Sequence, residues 1–289
     1  MLWLFRFFSY WPLAVLHAFG AGLGWLMWWL NPSYRRHFRA NVAQAGLPFA
    51  LARPAIAEAG RFVAELPKLW LRSRAESCLG HVQVGGQAHV EQAFARGKGV
   101  IFFAPHCGSF ELGTQALAEI FGPLTAMYRP ARIDWLARLE RLARDRPKLS
   151  VVPASLSGVR LMHKALRANQ AVAMLTDQVP PEGLGLWAPY FGRPAYTMTL
   201  AARLALQSGA ALLPVSCERL PYGRGYHLKV WPALVDEVDG NGGESATARA
   251  DLLKQVTRIN QSIETIVRSQ PGQYLWGYAR YKTPRKASL

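Results

Sequence analysis

Short apolar runs alternating with amphipathic stretches organise the chain from residue 81 onward. The runs His81 to Val84, Val100 to Ala104, Leu124 to Tyr128, Leu149 to Val152, Ala171 to Leu175, Ala211 to Ser216 and Tyr226 to Trp231 have the length and apolar character of strands. Helical periodicity lies between several of them. This alternation predicts an α/β fold, a single sandwich-like domain with a mainly buried mixed sheet flanked by helices. Residues 32–77 are expected to be helical, with breaks around Gly46-Leu47-Pro48 and at Pro67. Arg132 to Arg146 places Leu136, Leu139, Leu142 and Ala143 on one side of a helix and Arg138, Arg141 and Arg144 on another. Asp236 to Ser245 is expected to be a surface loop, Ala246 to Arg268 a helix, and Thr283 to Leu289 a frayed basic tail.

The N-terminus follows a different pattern. From Phe7 to Leu30 the only titratable charge is His17, and such a helix would extend roughly 36 Å, more than a bilayer's hydrocarbon core. Trp3, Trp11, Trp25, Trp28 and Trp29 lie toward its ends, where interfacial aromatics belong. Residues 1–31 are therefore expected to form a membrane anchor and 32–289 the remaining domain. Arg35, Arg36 and Arg39 follow the apolar run while only Arg6 precedes it, which places the larger part in the cytoplasm. The run is too long for a cleaved signal peptide. Gly20 and Gly24 form a GxxxG pair, which the general frequency of glycine in membrane helices explains without a docking role.

Lys and Arg number 34 against 18 Asp and Glu, a formal charge of +16. Such a surplus favours acidic partners: nucleic acid, an anionic membrane surface, a phosphorylated lipid or an acidic protein. No recognisable nucleic-acid-binding module is present. Cys78, Cys107 and Cys217 are far apart with no CxxC pair, so neither a disulfide framework nor a zinc site is indicated, and no metal or organic cofactor is expected.

The segment Val100 to Gly113, VIFFAPHCGSFELG, carries the most chemistry. Pro105 ends the strand because it has no N–H to donate, and Ser109 stands where a helix cap belongs. His106 and Glu111 cannot share a helix face, since five residues at 3.6 per turn leave them roughly 140° apart. His106 is thus expected in the loop before the helix, with its imidazole turned back toward the Glu111 carboxylate. A carboxylate on one ring nitrogen leaves the other free to deprotonate a hydroxyl. Cys107 suits a small buried residue better than a nucleophile, and no GxSxG elbow surrounds Ser109. Asp177 follows an apolar strand in AMLTDQ, where it could cap the next turn, orient an active-site arginine or bind substrate. Residues 180–194, mixing glycine with Trp187, Tyr190 and Phe191, suit a loop beside an apolar pocket.

Taken together, the apolar N-terminus, HCGSFE, YRP at Tyr128 to Pro130, LARDR, LTDQ and the closing YLWGYARYK of Tyr274 to Lys282 resemble the late acyltransferases of lipid A biosynthesis, within the lysophospholipid acyltransferase superfamily. The resemblance runs over nearly the whole chain with the boxes in the family's order. It implies transfer of a fatty acyl chain from acyl-acyl carrier protein to a hydroxyl of an acylated, phosphorylated glucosamine disaccharide at the bacterial inner membrane, on the cytoplasmic face. His106 corresponds to the family's general base and Glu111 to its partner. Arg129, Arg144 and Asp177 correspond to substrate-placing positions. The chain departs from the pattern at Val179, usually a second acid, and at Ile133, often Asn. These departures leave open another hydroxylated lipid acceptor, such as a lysophospholipid or an amino-acid lipid. A membrane-tethered nucleic-acid-binding protein would account for the charge but not for the ordered boxes.

Overall fold

In the computed structural model, residues 2–128, 131, 133–144, 146–234 and 245–286 are described. Nine strands are seen there: β1 (Val82–Gly85), β2 (Val100–Ala104), β3 (Leu124–Tyr128), β4 (Leu149–Pro153), β5 (Ala171–Leu175), β6 (Gly185–Tyr190), β7 (Arg193–Met198), β8 (Ala211–Arg219) and β9 (Tyr226–Val230). Seven form one sheet in the order β1-β9-β8-β2-β5-β3-β4, parallel throughout except for the antiparallel β8–β9 pair. β2 and β5 are apolar at every position because both sheet faces are covered, as a parallel sheet requires. Ile101, Phe103, Val172 and Met174 face one core, and Phe102, Ala171 and Ala173 the other.

The remaining two strands, β6 and β7, form a hairpin where residues 180–194 were expected to be a loop. Its turn, Phe191-Gly192, has both residues at positive φ, the geometry that tight hairpins favour. Phe-Gly is not the usual signal for such a turn, and Pro189 faces Pro194 across the pair, so the local signature of strands is weak. Helix Ala55–Leu71 also runs through Pro67, where a break was expected; the proline is buried and tertiary packing overrides its helix-breaking tendency. In helix Asp134–Arg144, Leu139 and Ala143 are buried, whereas Leu142 is exposed. The expected loop at Asp236 to Ser245 lies almost wholly outside the described residues, and helix Ser245–Ser269 follows. The C-terminal stretch is tied down as far as Arg285, whose carbonyl accepts from Glu182 N at 2.9 Å.

The N-terminal apolar stretch is two helices, Leu2–Ser9 and Leu13–Leu30, separated at Trp11-Pro12. The second is long and apolar enough to cross a membrane. It packs closely on helix Ala55–Leu71, and the GxxxG pair is the docking face. A Cβ at Gly60 would stand 1.9 Å from Gly20 O, and one at Gly24 would stand 2.1 Å from Ile56 O, so the helices approach to a distance that only glycine allows. Its other side leaves Val15, Phe19, Leu23, Leu26, Met27 and Leu30 exposed.

Candidate active site

The strand register builds the centre of the site. β2 and β5 are parallel neighbours aligned Val100↔Ala171 through Ala104↔Leu175, so His106 and Asp177 each stand two residues beyond the end of adjacent strands. A bond from Thr176 N to Ala104 O, 3.2 Å, extends the ladder one step further. The Asp177 carboxylate then takes two donors from one residue: His106 N at 3.0 Å and His106 Nδ1 at 2.6 Å. Burial raises the Asp177 carboxyl, but the charge of His106 and its two hydrogen bonds outweigh burial and hold it below its ordinary value. An ionised carboxylate only accepts, so in the neutral imidazole the proton sits on Nδ1 and the lone pair on Nε2. That lone pair is directed at the amide of Gln178, whose Nε2 donates at 3.1 Å.

This pairing differs from the expected one. His106 does lie in the loop before helix Phe110–Phe121, and Glu111 lies in the helix's first turn. The imidazole, however, turns to Asp177, while Glu111 accepts from Arg144 Nη2 at 2.5 Å. Arg144 closes helix Asp134–Arg144, also reaches Glu140 at 3.5 Å, and lies 5.1 Å over the ring of Tyr128. His106, Glu111, Arg144 and Gln178 all line a single cavity of about 1010 Å³, and Val179 joins them. Phe103, Phe110, Met127, Met174 and Leu200 supply much of its apolar wall. Val179 also donates its N–H to Tyr278 Oη at 3.0 Å. Arg129 lies outside the described residues. Ile133 is half exposed at the start of the basic helix and is not among the cavity's lining residues.

The loop is shaped by glycine and held from three sides. Gly108 has φ +61°, and a Cβ there would stand 2.0 Å from Cys217 O. Ser109 occupies the N-cap position, but its side chain makes no capping bond; its hydroxyl donates instead to Glu65. The closing YLWGYARYK segment reaches back to the same loop, with Leu275 N donating to His106 O at 3.0 Å, while Gln273 O accepts from Gly108 N at 3.0 Å. Cys107 is buried, and burial pushes its thiol well above the ordinary value, which keeps it protonated. No three His, Cys, Asp or Glu side chains cluster as metal ligands among the described residues.

Sequence reasoning missed Gln178, Glu65 and Arg219. Gln178 sits beside Asp177 in LTDQ, and the parallel register of β2 and β5 was the signal that could have found it. The geometry is that of a base with an oriented imidazole opening on an apolar chamber, able to take a proton from a hydroxyl.

A mixed α/β sheet that ends in an oriented imidazole beside an apolar chamber suits an enzyme whose substrates carry large apolar groups. Residues 1–283 match the model of the bacterial lipid A biosynthesis acyltransferase family, and the chain belongs to it. It is thus an acyltransferase acting on lipid acceptors. It is 29% identical over 208 residues to the lipid A biosynthesis lauroyltransferase of Escherichia coli, covering 70% of this chain and 62% of that one. The palmitoleoyltransferase of the same organism is 25% identical over 286 residues, covering 94% and 86%. The phosphatidylinositol mannoside acyltransferase of Mycobacterium tuberculosis is 28% identical over 253 residues, covering 84% and 78%. The 1-acyl-sn-glycerophosphate acyltransferase PlsC of Thermotoga maritima aligns over 91% of this chain and 97% of that one at 15% identity, with a TM-score of 0.32.

Proposed function

We propose that this chain is a membrane-bound enzyme that moves a fatty acyl group from acyl-acyl carrier protein to a hydroxyl of a phosphorylated lipid A precursor, with His106 as general base. The observation that carries this reading is the Asp177–His106 pair, whose Nε2, met by the Gln178 amide, faces the apolar cavity beside the Glu111–Arg144 ion pair. The acceptor hydroxyl takes the place of the Gln178 amide at Nε2. Its oxygen attacks the thioester carbonyl as its proton passes to Nε2. The tetrahedral oxyanion collapses with breakage of the C–S bond, and the imidazolium returns the proton to the departing thiolate. Asp177 fixes the tautomer and steadies the imidazolium. Glu111 serves through Arg144, holding a guanidinium at the cavity wall where it can meet an anionic group of the substrates; Arg129 is assigned a similar role in substrate placement.

Residues 1–31 are assigned to the membrane and 32–289 to the catalytic domain, on the cytoplasmic side of the bacterial inner membrane. The exposed apolar side of helix Leu13–Leu30 and the trailing Arg35, Arg36 and Arg39 support that placement. Phosphates on the acceptor and an acidic carrier both suit a +16 chain. Val179, at a cavity-lining position usually acidic in the family, favours a second reading in which the acceptor is another hydroxylated lipid. Deleting the gene in its host decides between them by mass spectrometry of the lipids. Lipid A lighter by one secondary acyl chain, restored on complementation, supports the first reading; unchanged lipid A with loss of another acylated lipid supports the second. Near-normal acyl transfer by a folded His106→Ala protein would overturn the role of the base in both.

A further inference from the structure

A buried ionic cluster outside the cavity grips the loop that carries His106. Glu65, on helix Ala55–Leu71, and Arg219, at the end of β8, are both buried. Arg219 Nε donates to Glu65 Oε2 at 2.8 Å and Nη2 to Oε1 at 2.6 Å, a two-point pairing with the geometry of a planar fork. Each partner then reaches the loop. Ser109 Oγ donates to Glu65 Oε1 at 2.6 Å, and Arg219 Nη2 donates to Gly108 O at 2.9 Å. Two successive residues of the loop between β2 and helix Phe110–Phe121 are thus fixed by one ion pair. Helix Ala55–Leu71 supports the imidazole by a second route, since Phe62 lies 4.5 Å from Phe110, whose ring meets His106 edge-on at 5.0 Å.

The cluster extends into the N-terminal helix. His17 Nε2 lies 3.0 Å from Glu65 Oε2, and Tyr226 Oη donates to the same oxygen at 3.1 Å. Glu58 also accepts from Arg219 and from Arg61. A buried ion pair is weak evidence for stability, because taking two charges out of water offsets most of their attraction. Its value lies in fixing geometry, and here the geometry it fixes is that of Gly108 and Ser109.

We propose that Glu65 and Arg219 are positioning residues for acyl transfer, holding the loop so that His106 Nε2 faces the cavity, and that His17 makes the N-terminal helix part of this device. The proposal rests on His106 being the base. Ser109→Ala is the cleanest probe, since it removes one hydroxyl and leaves the ion pair in place. In full-length protein, its kcat should fall about tenfold, as a misplaced reacting group predicts, with KM for the thioester and the melting temperature little changed. In a His106→Ala background it should cost nothing further. Arg219→Lys, which keeps the charge but loses the fork, should fall below wild type yet exceed Arg219→Met in kcat, and His17→Gln should lower kcat more than it lowers the melting temperature. Wild-type kcat in Ser109→Ala, or a loss carried over undiminished into the His106→Ala background, would overturn the proposal while leaving the functional reading intact. Near-normal turnover by His106→Ala itself would overturn both.

Discussion

Replacing Asp177 by Asn tests the site at its most defined point. The substitution keeps the side chain's shape but exchanges one of two acceptor oxygens for an NH₂ donor. His106 N, a fixed backbone donor 3.0 Å away, must keep an acceptor, so the amide oxygen turns to it. The NH₂ group is then left facing Nδ1, now 2.6 Å from a carboxylate oxygen. It can donate only into an Nδ1 lone pair, which forces the ring proton onto Nε2. Both bonds between residue 177 and His106 survive, and Gln178 must turn its amide oxygen to the new Nε2–H, yet the nitrogen facing the cavity can no longer take a proton. Locking the wrong tautomer costs on the order of 10³–10⁴ in kcat in comparable dyads, about 4–5.5 kcal/mol of barrier. Acyl transfer measured with purified carrier thioester, alongside thermal unfolding, should show that loss with a melting temperature within a few degrees of wild type. A folded Asp177→Asn protein with kcat within about threefold of wild type would refute the reasoning, because the tautomer would then be set elsewhere.

Other outcomes follow from the same geometry. Arg144→Lys should lower activity about tenfold or more, since a point charge cannot hold Glu111 and cover Tyr128 as a guanidinium does; turnover and KM measured together would check it. Cys107→Ala should retain substantial activity, and its complete inactivation as a folded protein would revive a thiol mechanism. Gly60→Leu should force the N-terminal helix away from its partner and destabilise the protein by about 1–3 kcal/mol or more, seen as a lowered melting temperature. The Glu65 carboxyl is raised by burial, yet the charge of Arg219 and hydrogen bonds from His17, Arg219 and Ser109 bring it down to about 2 from an ordinary 4.5. Its stabilising contribution is full above the ordinary value and lost as pH falls toward 2. Glu65→Gln should therefore flatten the acid limb of the melting profile over that window.

Six of the nine described strands could be delimited to within a residue or two from apolar runs alone: β1, β2, β3, β4, β5 and β9. They were legible because each packs apolar side chains against the core, β1 with the partly buried Val82 and Val84, and burial writes itself into composition. β6 and β7 were not, since their pairing depends on a Phe-Gly turn and each carries a proline, tolerated because both are edge strands of a two-stranded sheet. The site divided along the same line. His106, Glu111, Arg144 and Asp177 were identified as individual residues, and all but Asp177 line the same cavity, with Asp177 bonded directly to His106. Their pairing was not legible, because it depends on which strands are neighbours. HCGSFE suggests His106 with Glu111 by proximity in sequence, whereas the β2–β5 register selects Asp177. Ser109 fitted a cap by position, but its hydroxyl was claimed by Glu65, a partner that no local pattern reveals.

The three-sided grip on the His106 loop has a consequence for the order of synthesis. Asp177 comes 71 positions after His106, and Gln273 and Leu275 come later still. On the proposed function, a chain emerging from the ribosome would present its apolar N-terminal helices to the bilayer long before these residues exist. The nascent protein would then be at its lipid surface while its proposed base is still unseated, and acyl transfer would begin only once translation has passed Leu275.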